Sequence, residues 1–230
     1  MPYTTLLFDI DDTLLNFKAA EHYAISTLMT ELAVEATDAN IQLYSEINQG
    51  YWEEFEKGLL TKEVLTAKRF ETFFALHELA VDGKEADAKF RSYLEQSHHL
   101  IAGSIPLLEA LVPQYRLYAT TNGVAQTQYR RLKDSGLIQY FKDIFVSEDT
   151  GYQKPTKEYF DYVFARIPNF NAKETVIIGD SLTSDILGGM NAGIDTCWFN
   201  PHHLPNPFPH IKPTYEIAAL DDLKTLLEME

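Results

Sequence analysis

Apolar and polar positions alternate with two different periods along the chain, and the change falls near residue 100. Ahead of it, one short run, YTTLLFDIDDTLLN (residues 3–16), reads as a buried strand that ends in acids. Residues 17–99 then carry helical spacing through AAEHYAISTLMTELAV, DANIQLYSEINQGYWEEFEKG, TKEVLTAKRFETFFALHELA and DGKEADAKFRSYLEQSHHL. Within residues 61–79, Val64, Leu65, Ala67, Phe70, Phe73, Phe74 and Leu76 are expected to form one apolar stripe. From about residue 104, short strands at YRLYATT, DIFVS, ETVIIGD and DTCWFN alternate with helical stretches SIPLLEALV, VAQTQYRRLKDSG, TKEYFDYVFARI and SDILGGMNAG. That alternation predicts an α/β fold with a doubly wound parallel sheet. The opening strand needs that sheet to satisfy its backbone, so the helical block is an insertion. The expected organisation is a core of residues 1–16 and 100–230 and a helical cap of residues 17–99.

Parallel sheets present ligand sites at the carboxyl ends of their strands. Three ends carry unusual residues here: Asp9-Ile10-Asp11-Asp12-Thr13, Thr121-Asn122-Gly123, and Gly179-Asp180 with Asp185 five residues on. Lys154 lies in GYQKPTKEYF, between the third strand and its helix. Two carboxylates about 4 Å apart repel by roughly 4 kcal/mol at an effective dielectric near 20. Asp9, Asp11 and Asp180 therefore cannot share one rim unneutralised. Lys154 offsets one charge, and the remainder calls for a cation, with oxygen ligands favouring Mg²⁺. A calcium loop fails on spacing, because Leu14 and Ala20 stand where glycine and glutamate are needed.

Composition narrows the partners. The 230 residues carry a formal charge of −15, which disfavours polymeric nucleic acid and anionic membranes but leaves small phosphorylated ligands open. No apolar run approaches the ~20 residues of a membrane span, and the lone Cys197 permits no internal disulfide, so a cytoplasmic setting is expected. Cys197 reads as a small buried hydrophobe, and His202, His203 and His210 as solvent-facing.

FDIDDT, TTNG, Lys154-Pro155 and IGDSLTSD, in this order, resemble the four signature motifs of the haloacid dehalogenase superfamily, over the whole Rossmann-like core. The helical insertion is similar to that superfamily's mobile cap. The resemblance implies that Asp9 is a nucleophile forming an aspartyl-phosphate, and that Asp11 is the general acid and then base. Crowding by other carboxylates is expected to keep the Asp11 proton in place. Asp9, the backbone carbonyl of Asp11, and Asp180 are implied as metal ligands, with Asp185 behind them or at a helix start. Thr121 and the amides of Asn122 and Gly123, at a helix N-terminus, are expected to hold phosphoryl oxygens, and Lys154 to balance charge. Asp12 is expected to hydrogen bond within the turn. An aspartate at position 11 favours a phosphatase or phosphomutase over a dehalogenase.

Within the superfamily, LLFDIDDTL, GYQKPTKEYFDY and SDILGGMNAGIDTCWFN look most like pyrimidine 5′-nucleotidases acting on noncanonical nucleoside monophosphates. The expected activity is Mg²⁺-dependent hydrolysis of a nucleoside 5′-monophosphate. A broad sugar-phosphate phosphatase, a phosphomutase and a non-catalytic binding module are the alternatives. Tyr51, Trp52 and Arg69 in the cap are candidates to touch base and anion, beside the plainer readings of core packing and a surface salt bridge.

Overall fold

The computed structural model describes residues 3–228. It divides into two compact units: Met1–Asn16 with Leu100–Glu230, and Phe17–His99.

The first unit is built on six parallel strands, β1 (Thr5–Phe8), β2 (Arg116–Thr121), β3 (Asp143–Val146), β4 (Thr175–Gly179), β5 (Asp195–Phe199) and β6 (Tyr215–Ile217), in the order β3-β2-β1-β4-β5-β6. Between them lie α5 (Ser104–Leu111), α6 (Ala125–Asp134), α7 (Ser147–Thr150), α8 (Lys157–Phe164) and α9 (Leu187–Ala192), and α10 (Asp222–Leu226) follows the last strand. The period of two along each strand explains the two buried faces. Leu6, Phe8, Leu117, Ala119, Val176 and Ile178 pack to one side, while Leu7, Tyr118 and Ile177 pack to the other with Tyr159, Phe160 and Val163 of α8.

Strand order places the site. The chain runs outward from β1 through β2 and β3, then returns to the opposite flank of β1 for β4, β5 and β6, so β1 is the point where the winding reverses. Ligands of open parallel sheets bind outside the carboxyl ends at such a reversal. Phe8 pairs with both Ala119 and Ile178, and the three ends that follow therefore leave the sheet side by side. Four of the later strands sit where the hydrophobic pattern predicts them. The sixth was not anticipated: three residues with one buried side chain, Ile217, carry too little pattern to read.

The second unit holds α1 (Phe17–Glu31), α2 (Asp38–Glu56), α3 (Lys62–Ala75) and α4 (Gly83–Leu94). Thr37, Thr61 and Asp82 cap the last three by accepting backbone N–H groups with their side chains. An aromatic cluster of Tyr44, Phe70, Phe73 and Phe90 fills the centre, with the Tyr44 and Phe70 rings stacked at 5.5 Å. The expected stripe on α3 is narrower than its spacing suggests. Leu65, Ala67, Phe70, Phe73 and Phe74 are buried, but Val64 and Leu76 face solvent, because they lie at the rims of the helical face. No helix among the described residues is long and apolar enough to cross a membrane.

Candidate active site

The acidic opening is held by its own turn. The Asp9 N–H donates to Ile178, extending the β1–β4 pairing by one residue. Asp12 then takes a left-handed φ of 56° while its N–H reaches the carbonyl of Leu15, a conformation that aspartate tolerates better than most side chains. Thr13 links two strand ends: its hydroxyl donates to Asp9 Oδ2 at 3.2 Å and accepts the Asp180 N–H at 3.1 Å. On the other side the Trp198 indole donates to the Asp180 carbonyl at 2.8 Å. Asp180 is thus fixed through its backbone, and its carboxylate stays partly exposed.

Lys154 is the electrostatic centre. Its ammonium donates to Asp9 Oδ1 at 2.7 Å, Asp185 Oδ1 at 2.7 Å and the Thr120 carbonyl at 2.9 Å, which uses all three of its hydrogens. Only 1% of the residue is exposed. Asn122 anchors it: the Asn122 side chain donates to the Lys154 carbonyl and accepts the Lys154 N–H, both at 2.9 Å. Asp185 is steered by a π-helical turn over Leu182–Ile186, and its second oxygen accepts the Ser181 N–H at 3.2 Å. Gly179 makes room for it, because a Cβ there would stand 2.2 Å from Asp185 Oδ2.

Asp9, Asp180 and Asp185 each offer an oxygen within 4.8 Å of the others. When all are ionised, three carboxylates against one ammonium leave two negative charges, which a divalent ion would neutralise. Burial is the largest influence on Asp9 and pushes its carboxyl up to about 8; Lys154 opposes this, and Asp185 and Asp11 reinforce it. Burial also works against the Lys154 charge, but Asp185 and Asp9 outweigh it and hold the ammonium well above its ordinary range. An all-oxygen donor set on a partly exposed acid suits a hard cation such as Mg²⁺.

Asp11 corrects an expectation. Its carboxylate faces α6, where it accepts from Gln128 Nε2 at 2.8 Å and from the guanidinium of Arg131. A buried cation, rather than crowding acids, is its immediate neighbour, and the acids that cluster are Asp9, Asp180 and Asp185. Gln128 and Arg131 were missed in the sequence; both are buried, at 2% and 0% exposure. Thr121 is buried beside them, and the Gly123 N–H that was expected to face phosphate donates to the Thr121 hydroxyl at 3.1 Å.

Arg69 is also corrected. It lies in the interior of the helical unit, 3% exposed, where it donates to Asp87 at 2.6 Å and Asn48 at 2.8 Å, with the Phe70 and Phe90 rings 4.7 and 4.9 Å from its guanidinium carbon. Anion binding would require breaking that network. Asn48 in turn donates to Glu21, so removal of the cation strands several buried polar groups. Arg69→Met should lower unfolding free energy by about 3 kcal/mol, read by urea denaturation. Trp52 packs edge-on against Phe55 at 5.8 Å, and the Tyr51 hydroxyl is paired with Thr72 at 2.8 Å; both are half-buried. His202, His203 and His210 are exposed and Cys197 is buried, as the sequence suggested.

Comparison with known proteins gives this arrangement its family. Residues 6–199 match the model of the haloacid dehalogenase-like hydrolases. The chain belongs to that family. Over 228 residues it is 51% identical to the HAD-hydrolase YfnB of Bacillus subtilis, covering 99% of this chain and 97% of that protein. The YfnB crystal structure, described as bound to magnesium and as revealing interdomain movement, superposes with a TM-score of 0.95 at 50% identity over the full length of both chains. The pyrimidine 5′-nucleotidases PynA of Streptococcus pneumoniae and YjjG of Escherichia coli are 40% and 31% identical, each over 99% of this chain and over 96% and 99% of their own lengths. This haloacid dehalogenase-like hydrolase is a phosphoric monoester hydrolase.

Proposed function

We propose that the enzyme is a Mg²⁺-dependent 5′-nucleotidase that removes phosphate from pyrimidine nucleoside monophosphates, noncanonical ones included, through an aspartyl-phosphate on Asp9. The observation that carries the reaction is the buried Asp9–Lys154–Asp185 arrangement beside Asp180. The base preference rests on the two full-length relatives named as pyrimidine 5′-nucleotidases.

Asp9 and Asp180, with the Asp11 backbone carbonyl, are the residues that would hold Mg²⁺. The bound ion would draw charge from the phosphoryl oxygens and help to neutralise the acids. Asp9 attacks phosphorus in line with the leaving oxygen, and the P–O bond to the nucleoside breaks as the new bond forms. Asp11 gives its proton to that leaving oxygen, then takes one from water as the water oxygen attacks the same phosphorus. The bond from Asp9 to phosphorus breaks, releasing inorganic phosphate and the original carboxylate. Both Asp11 oxygens accept hydrogens from Gln128 and Arg131 in this arrangement, so its carboxyl has to turn from them to donate. Lys154 holds Asp9 in place and balances charge, and the Thr121 hydroxyl binds a phosphoryl oxygen.

Phosphate release from a panel of esters tests this reading. Uridine and thymidine monophosphates should turn over at least about tenfold faster than purine monophosphates and hexose phosphates in Mg²⁺. Chelation should stop release, and Mg²⁺ should restore it. Faster hydrolysis of hexose phosphates would make the enzyme a sugar-phosphate phosphatase, and no release at any metal level would leave a binding module.

A further inference from the structure

One glutamine decides which way the phosphate-binding hydroxyl points. Gln128 lies on α6 with 2% of its surface exposed. Its amide nitrogen is 2.7 Å from Thr121 Oγ1 and 2.8 Å from Asp11 Oδ2, so its two hydrogens serve two different site residues. Its carbonyl oxygen accepts from Arg131 at 3.3 Å. The reverse orientation would set that oxygen against the Asp11 carboxylate and the NH₂ group against the guanidinium, so electrostatics fixes the amide as described.

The consequence falls on Thr121. A hydroxyl has two acceptor lone pairs and one hydrogen. The Gln128 amide and the Gly123 N–H, at 2.7 and 3.1 Å, occupy both lone pairs. The hydroxyl hydrogen has no acceptor among the described residues, although Thr121 is only 1% exposed. Such a group can only donate, and an oxyanion, which can only accept, is its complement. Gly123 matters for the same reason: a Cβ there would lie 2.6 Å from the Gln128 side chain and would drive it out of the loop.

We propose that Gln128 is a positioning residue for phosphoryl recognition: it orients the Thr121 hydroxyl as an obligate donor and, through the same amide, ties it to Asp11. The proposal rests on the phosphatase reading above. It deepens that reading by assigning phosphate selectivity to a side chain outside the four motifs.

The test is a double-mutant cycle in saturating Mg²⁺, using inhibition by inorganic phosphate and steady-state hydrolysis of an aryl phosphate. Gln128→Met, which keeps the length but removes the donor, should raise the phosphate inhibition constant about tenfold and raise KM more than it lowers kcat. Thr121→Val should do at least as much, and in phosphate inhibition the double variant should be no worse than Thr121→Val alone. Gly123→Ala, which displaces Gln128 without changing it, should act in the same direction and stands in if Gln128→Met does not fold. Gln128→Met inhibition within twofold of wild type, or losses in phosphate inhibition that multiply in the double variant, would overturn the proposal while leaving the phosphatase reading intact. Wild-type enzyme that neither hydrolyses the ester nor responds to phosphate would overturn both.

Discussion

Asp9→Asn abolishes phosphate release, lowering kcat by about 10⁴-fold or more, because an amide oxygen cannot form the phosphoryl intermediate. The fold survives, and the metal-free variant gains stability at neutral and alkaline pH. The sign follows from burial, which raises the folded-state Asp9 carboxyl to about 8 against an ordinary value near 4. Between those values the folded wild type retains a proton that the unfolded chain has lost, so stability falls as pH rises from about 4 to 8. The asparagine variant lacks that loss, and the gap between their melting temperatures is widest above pH 8. Calorimetry in chelator across this range reads it directly. Residual turnover near wild type would mean that Asp9 is not the nucleophile, and a variant that melts lower throughout would mean that it is not a strained buried acid.

Lys154→Met damages both activity and stability, and that distinguishes it from Asp9→Asn. Its ammonium is the shared partner of Asp9 and Asp185, and methionine leaves both acids buried without a cation. Breaking a buried pair of this kind costs about 3–5 kcal/mol, and loss of charge balance at the phosphoryl group lowers kcat by about 10²–10³-fold. Mg²⁺ should raise the melting temperature of this variant more than that of wild type, since the ion then supplies the missing charge. Guanidinium unfolding with and without Mg²⁺ measures the first effect, and steady-state kinetics the second.

The rim of the sheet was legible because its residues follow strands whose apolar pattern is strong. Asp9, Thr121 and Asp180 each come directly after, or end, a buried run, and parallel winding brings such ends together. The partners of Asp11 were harder to read. The α6 stretch is polar by composition, yet its buried residues are Thr127, Gln128, Arg131 and Leu132, a helical stripe that faces inward. A helix flanking an apolar sheet with glutamine and arginine on its inner face was the available signal. Arg69 offered a similar one, since it stands four residues from both Leu65 and Phe73 on the buried face of α3. Its spacing placed it in the interior, while its charge suggested a ligand. The role of Trp198 could not be read, because it depends on which backbone atom an adjacent segment presents.

A covalent bond between phosphorus and Asp9 is the claim on which the mechanism stands. Acid quenching during turnover of a pyrimidine monophosphate with Mg²⁺, followed by peptide mass spectrometry, should find a phosphoryl adduct on the peptide containing Asp9 and none in Asp9→Asn. Full turnover with no adduct, or with one on another residue, would contradict it.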